Sequence, residues 1–105
     1  MRWELDSFAE SLTSVSAATA AVYRRDLVAL IDWCEARGLA EPASVTRRHL
    51  RGYLAWLSQE DYARRTMARK ASSIRRYFRW ATRKALVPAD PSVGLQAPAG
   101  DGRLP

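Results

Sequence analysis

The side chains best placed to do chemistry are cationic. Between Tyr62 and Ala89 the chain carries nine basic residues (Arg64, Arg65, Arg69, Lys70, Arg75, Arg76, Arg79, Arg83 and Lys84) and no acidic one. On a helix turning about 100° per residue, Arg65, Arg69, Ser72, Arg76 and Arg83 form a stripe opposite an apolar arc, with Ser73 and Trp80 at the edge of the stripe. From Arg65 to Arg83 is eighteen residue steps, which at the α-helical rise is roughly 27 Å. Guanidinium groups along such a stripe can reach successive phosphates of a nucleic-acid duplex, arginine can also fork onto a guanine edge, and serine can bond either. An ordinary solvated face interleaves both signs at i,i+4, because like charges at that spacing repel. A cationic face with no carboxylate therefore points to a polyanion.

A second candidate contact lies at Thr19, Arg24 and Arg25, near the start of another helix whose free N–H groups favour phosphate. There Asp26 and Asp32 could simply neutralise Arg25, and Arg47, Arg48 and Arg51 read equally well as ordinary surface. Covalent chemistry finds no foothold. The chain has no glycine-rich phosphate loop, no Cys/His metal spacing and no nucleophile beside a base, so no catalytic residue, metal or cofactor is expected. His49 has no partner at helical spacing, Cys34 falls on an apolar stripe, and Tyr23, Tyr53 and Tyr77 suit packing. Trp80 could touch a sugar or a neighbouring subunit.

The elements that must position these side chains are helices. Eighteen alanines, two glycines before Gly94 and apolar residues three and four apart argue for an all-α bundle of four or five helices in 105 residues, enough for one core. The first helix is expected over about Trp3 to Leu12, with Leu5, Phe8 and Leu12 on one face. Ser16 caps a second, which carries Tyr23, Leu27, Leu30, Ile31 and Cys34 on one stripe and Val22, Ala29 and Trp33 on another, and stops at Gly38. Thr46 caps a third that runs to about Gln59 and turns Leu50, Tyr53, Leu54 and Leu57 inward. The fourth, about Arg65 to Ala85, has Met67, Ala71, Ile74, Phe78, Ala81 and Ala85 as its core arc. Four of the five prolines and three of the five glycines follow Ala85. The expected division is thus a helical domain at 1–86 and an extended linker at 87–105, with Asp90-Pro91 able to start one further turn.

Seventeen basic residues, fifteen of them arginine, against eleven acidic ones give a net charge of +6. Outside the stretch from Tyr62 to Ala89 the balance is eight basic against eleven acidic, so the surplus belongs to the fourth helix alone. A single cysteine allows no internal disulfide, and neither a membrane-spanning run nor a signal-peptide layout is present, so a soluble cytoplasmic protein is expected.

The order Ser16-x-x-Thr19-x-x-x-Tyr23-Arg24-Arg25-Asp26-Leu27, then Trp33 and Arg37-Gly38-Leu39, resembles the opening of the N-terminal core-binding domain of Xer-type tyrosine recombinases. Ala68-Arg69-Lys70-Ala71-Ser72-Ser73-Ile74-Arg75-Arg76-Tyr77-Phe78 continues the likeness, followed by Asp90-Pro91-Ser92, Leu95, Pro98 and Arg103-Leu104-Pro105. The wording Trp80-Ala81-Thr82-Arg83 leans to the XerC branch over XerD. The resemblance implies a SAM-like orthogonal bundle that closes over double-stranded DNA and is joined by its linker to a catalytic domain. That domain supplies an Arg/His/Arg cluster and a tyrosine that attacks the scissile phosphate. None of that set maps onto this chain, so the chain itself is expected not to be an enzyme. Sister recombinase subunits in a tetrameric synaptic complex are the further implied partners. Ala71 stands where the family favours a larger aliphatic residue, and Ala99 where it often has lysine.

The expected function is DNA binding within a site-specific recombinase that resolves chromosome dimers. Its contacts would be Thr19, Arg24, Arg25, Arg65, Arg69, Lys70, Ser73, Arg76 and Arg83. The core-binding domain of a phage or integron integrase is the alternative within the class. A helical module docking an acidic protein is the alternative outside it.

Overall fold

The computed structural model describes residues 2–98. Its helices are α1 (Leu5–Glu10), α2 (Ala17–Glu35), α3 (Arg47–Gln59) and α4 (Arg64–Arg83), with a 3-10 turn at Pro42–Ser44 before α3. There is no strand among the described residues. Helix α4 packs on α1, α2 and α3, and α1 also packs on α2, so the basic helix touches every other helix.

The helix ends follow local chemistry. Ser16 Oγ accepts from the Thr19 amide at 3.1 Å and starts α2. At the other end Gly38 takes a positive φ of 80°, and the Leu39 amide turns back to the Cys34 carbonyl at 3.0 Å. Thr46 starts α3 with a reciprocal pair: its Oγ1 accepts from the His49 amide at 3.2 Å while His49 Nδ1 accepts from the Thr46 amide at 3.0 Å. The one histidine is therefore a capping residue. Helix α4 ends two residues before the expected Ala85, which takes a left-handed φ of 61° as the Leu86 amide closes back on the Ala81 carbonyl. Ala85 is exposed, not core.

Two aromatic groups hold the bundle. Phe8, Tyr77, Phe78, Trp80 and Trp3 cluster between α1 and α4, with ring centroids 5.3 Å apart for Phe8 and Tyr77 and 5.5 Å for Phe8 and Trp80. A six-residue helix is too short to be stable alone, so α1 owes its place to the buried Trp3, Leu5, Phe8 and Leu12. The Tyr77 hydroxyl donates to the Trp3 carbonyl at 2.6 Å, tying the chain's start to α4. Trp33, Tyr53 and Trp56 form the second group between α2 and α3. Cys34 is fully buried, and burial pushes its thiol up to about 11, as suits an inert packing residue.

Within the stretch expected to be an extended linker, the described residues after α4 pack back on the domain. Val87, Ser92 and Leu95 are buried in the body of the domain. Asp90 Oδ1 accepts from the Ser92 amide at 2.8 Å and from its hydroxyl at 2.6 Å, making a turn that Gly94 closes with φ 70° in place of a fifth helix. Arg75 donates to the Leu95 carbonyl and Arg47 to the Val93 carbonyl, so α3 and α4 both grip this return segment. The linker positions Ala99 and Arg103-Leu104-Pro105 lie outside the described residues. Among the described residues no helix is long and apolar enough to cross a membrane.

Replacing Tyr77 by phenylalanine leaves the Trp3 carbonyl without its donor in a dry setting. The expected loss is about 1–3 kcal/mol, read as a lower urea midpoint at unchanged m-value.

Candidate nucleic-acid interface

Helix α4 has a wider buried side than its apolar arc alone suggests. Lys70, Ser73, Tyr77 and Trp80 are buried along with Met67, Ala71, Ile74, Phe78 and Ala81, because three helices press on α4 from different directions. The remaining sector exposes Arg64, Arg65, Arg69, Arg79 and Arg83, with Ser72, Arg75 and Arg76 half-buried along its borders. That sector contains no carboxylate.

The α2–α4 seam is organised by Asp26, whose side chain is only 1% exposed. Its Oδ2 accepts from Arg69 Nε at 3.0 Å and from Ser73 Oγ at 2.7 Å, while Oδ1 accepts from Arg69 Nη2 at 2.7 Å and Lys70 Nζ at 3.4 Å. Burial works to raise the Asp26 carboxyl pKa, but the hydrogen bonds from Arg69 and Ser73 and the charges of Lys70 and Arg69 outweigh it and leave it below the ordinary value. The bond to Asp26 raises that of Arg69 in turn.

This network engages three of the expected contacts and withdraws two of them from the surface. Lys70 and Ser73 point into the seam, away from the exposed arginine sector, and Arg69 reaches solvent with 40% of its side chain exposed. Asp26 meets α4, and so does not serve to neutralise Arg25. Trp80 is likewise turned inward, against Phe8 and Tyr77. The helical wheel sets Ser73 and Trp80 at the edge of the basic stripe, and only the placement of α1 and α2 decides that this edge is covered.

The other expected contacts lie at the surface. Arg25, Arg65 and Arg83 are exposed, and the half-buried Thr19 sits at the start of α2. Arg24 forms an exposed pair with Asp6 at 2.7 Å. Arg76 reaches Ser14 Oγ at 3.3 Å and lies 5.6 Å from the Tyr23 ring centroid, which fixes it across the mouth of the α2–α4 seam. Arg79 is absent from the expected set although it sits in the same exposed sector. With Arg76, Arg83 and Ser11 it lines a hollow of about 240 Å³ against α1. Arg64, Arg65, Ser72 and Arg75 line a second groove, of about 630 Å³, whose far wall is Gln96 to Pro98. The arrangement offers cations and hydroxyls to an anion. Among the described residues it offers no cluster of metal ligands.

Residues 5–85 match the family described as the phage integrase N-terminal SAM-like domain. The chain belongs to that family. This SAM-like domain is 35% identical over 108 aligned positions to tyrosine recombinase XerC of Pseudomonas fluorescens, covering all of this chain and 36% of that protein. It is 36% identical to XerC of Stutzerimonas stutzeri over the same span. Tyrosine recombinase XerD of Bifidobacterium longum is 36% identical over 91 positions, 87% of this chain and 30% of that protein. The chain thus spans about a third of the length of the curated relatives it matches. No solved structure matches it.

The seam makes stability depend on acid. A carboxyl whose folded pKa lies below its unfolded value of about 3.9 contributes stability that is complete above that value and is lost as pH falls through the folded one. Asp26→Ala strands Lys70 in the seam, at an expected cost of about 3–5 kcal/mol at neutral pH. Urea titrations should show that the stability lost by the native protein between pH 4 and pH 2 is diminished in the variant.

Proposed function

We propose that this SAM-like domain is the DNA-binding N-terminal module of a tyrosine site-specific recombinase of the XerC type. It would work with a catalytic domain of its own chain and with sister subunits in a tetrameric complex on a recombination site, in the cytoplasm. The full-length protein would then resolve chromosome dimers by cutting and rejoining strands. The observation that carries the reading is the carboxylate-free sector of α4. Arg65, Arg69, Arg76, Arg79 and Arg83 line it, while Asp26, the carboxylate bonded by α4 side chains, is buried beneath. A helix with this field attracts a phosphate backbone, and its arginine forks match phosphate geometry. The XerC proteins that align along all of this chain support the type.

Duplex binding followed by fluorescence anisotropy tests this reading. With about five phosphates neutralised, the slope of log K against log salt is expected near −4.5. Arg65→Glu and Arg83→Glu together should weaken binding more than about tenfold with an unchanged circular dichroism spectrum. Absence of duplex binding even at about 50 mM salt would sink the proposal.

A further inference from the structure

We infer that Asp26 is a positioning residue for nucleic-acid binding: it fixes the Arg69 guanidinium so that its outer edge takes one backbone phosphate. The inference rests on the DNA-binding reading above. Arg69 meets Asp26 side-on, through Nε at 3.0 Å and Nη2 at 2.7 Å. A guanidinium has five N–H groups in a rigid plane. Two of them are spent on Asp26; the second N–H of Nη2 and one of Nη1 lie parallel on the edge at the end of the guanidinium, away from the carboxylate, and the last points back along the side chain. That edge is itself a fork of the kind that binds phosphate oxygens in pairs.

Three features separate this arrangement from a simple ion pair. The carboxylate is buried and held from the far side by Ser73 at 2.7 Å and Lys70 at 3.4 Å, so it cannot swing out to follow the arginine. The Arg69 side chain, by contrast, is 40% exposed. Lys70, moreover, supplies a second cation, so one carboxylate facing two cations leaves the cluster with a net positive charge instead of cancelling Arg69. An arginine already held in one orientation loses little rotamer freedom on meeting a phosphate, which improves affinity without adding a contact. Arg76, seven residues on and steadied by Ser14 and Tyr23, is braced along the same seam.

The test uses a change of charge that points the other way. Asp26→Asn removes a negative charge from a DNA-binding face, and on charge alone it should tighten duplex binding. Positioning predicts the reverse: binding about tenfold weaker, a salt slope shallower by about 0.9, and no further loss when Arg69→Gln is added. A partly unfolded population lowers affinity by a common factor and leaves the slope in place, so the slope separates positioning from stability. Arg69→Lys keeps the charge and the fold but cannot fork, and should lose binding to a similar extent. The inference is overturned if Asp26→Asn binds as tightly as the native protein with an unchanged slope, or if its effect and that of Arg69→Gln add. Should Asp26→Asn fail to fold, native-like binding by Arg69→Lys overturns it instead. Native protein that does not bind duplex at all overturns the DNA-binding reading, and this inference with it.

Discussion

A buried carboxylate under a cationic helix is the constraint on which the rest of this structure turns. Helix α4 carries eight basic residues between Arg64 and Arg83, and its like charges oppose both helix formation and packing. Asp26 answers two of them, the buried Lys70 and the partly exposed Arg69. Buried ion pairs are weak sources of net stability, since the cost of desolvating the charges offsets much of their attraction. What Asp26 gives is register. Its partners at Arg69, Lys70 and Ser73 occupy one angular sector of α4, and only one rotation of α4 against α2 brings all three to a single carboxylate. A turn of one residue, about 100°, would bury an arginine of the exposed sector with no counter-charge to meet it.

The two ends of α4 are fixed by different means. Toward its start the seam is polar and directional; toward its end the aromatic cluster of Phe8, Tyr77, Phe78 and Trp80 supplies area without direction. The half-buried arginines complete the division. Arg75 and Arg76 spend donors on the Leu95 carbonyl and on Ser14, while the outermost arginines, Arg65 and Arg83, have no hydrogen-bond partner among the described residues. The total of nine cations in this stretch therefore overstates what a ligand meets, because Lys70 is sealed in the seam. The Arg24–Asp6 pair adds little to stability, being exposed and screened on both sides.

Much of the fold was legible because it is written locally. Ser16, Gly38 and Thr46 mark helix ends through their own backbone chemistry, and the spacing of Leu50, Tyr53, Leu54 and Leu57 states which face of α3 is inside. The exposed sector of α4 was legible for a related reason, since a run without carboxylates cannot be an ordinary solvated face. Asp26 was not, because its partners lie more than forty residues away in the chain and nothing local distinguishes a carboxylate that answers Arg25 from one that answers Arg69. The same limit hid the fate of Ser73 and Trp80. A wheel gives an angle on one helix, and burial at the edge of a basic stripe depends on where the other helices lie. Ala85 failed for a smaller reason: periodicity continues past a helix end that only backbone geometry records.

The return segment joins the fold to the cationic face. Val87 and Leu95 fill the body of the domain, and the carbonyls of Val93 and Leu95 are held by arginines of α3 and α4, so the backbone has little freedom before Gln96. Gln96 to Pro98 then run beside Arg64 and Arg65. The chain consequently leaves the described fold along the border of the arginine sector, where Arg75 contacts both the return segment and α4's own Ser72. The path of the described chain and the cationic surface thus share one support in α4. A displacement of α4 would move both together, so the register fixed at Asp26 also governs where Gln96 to Pro98 lie.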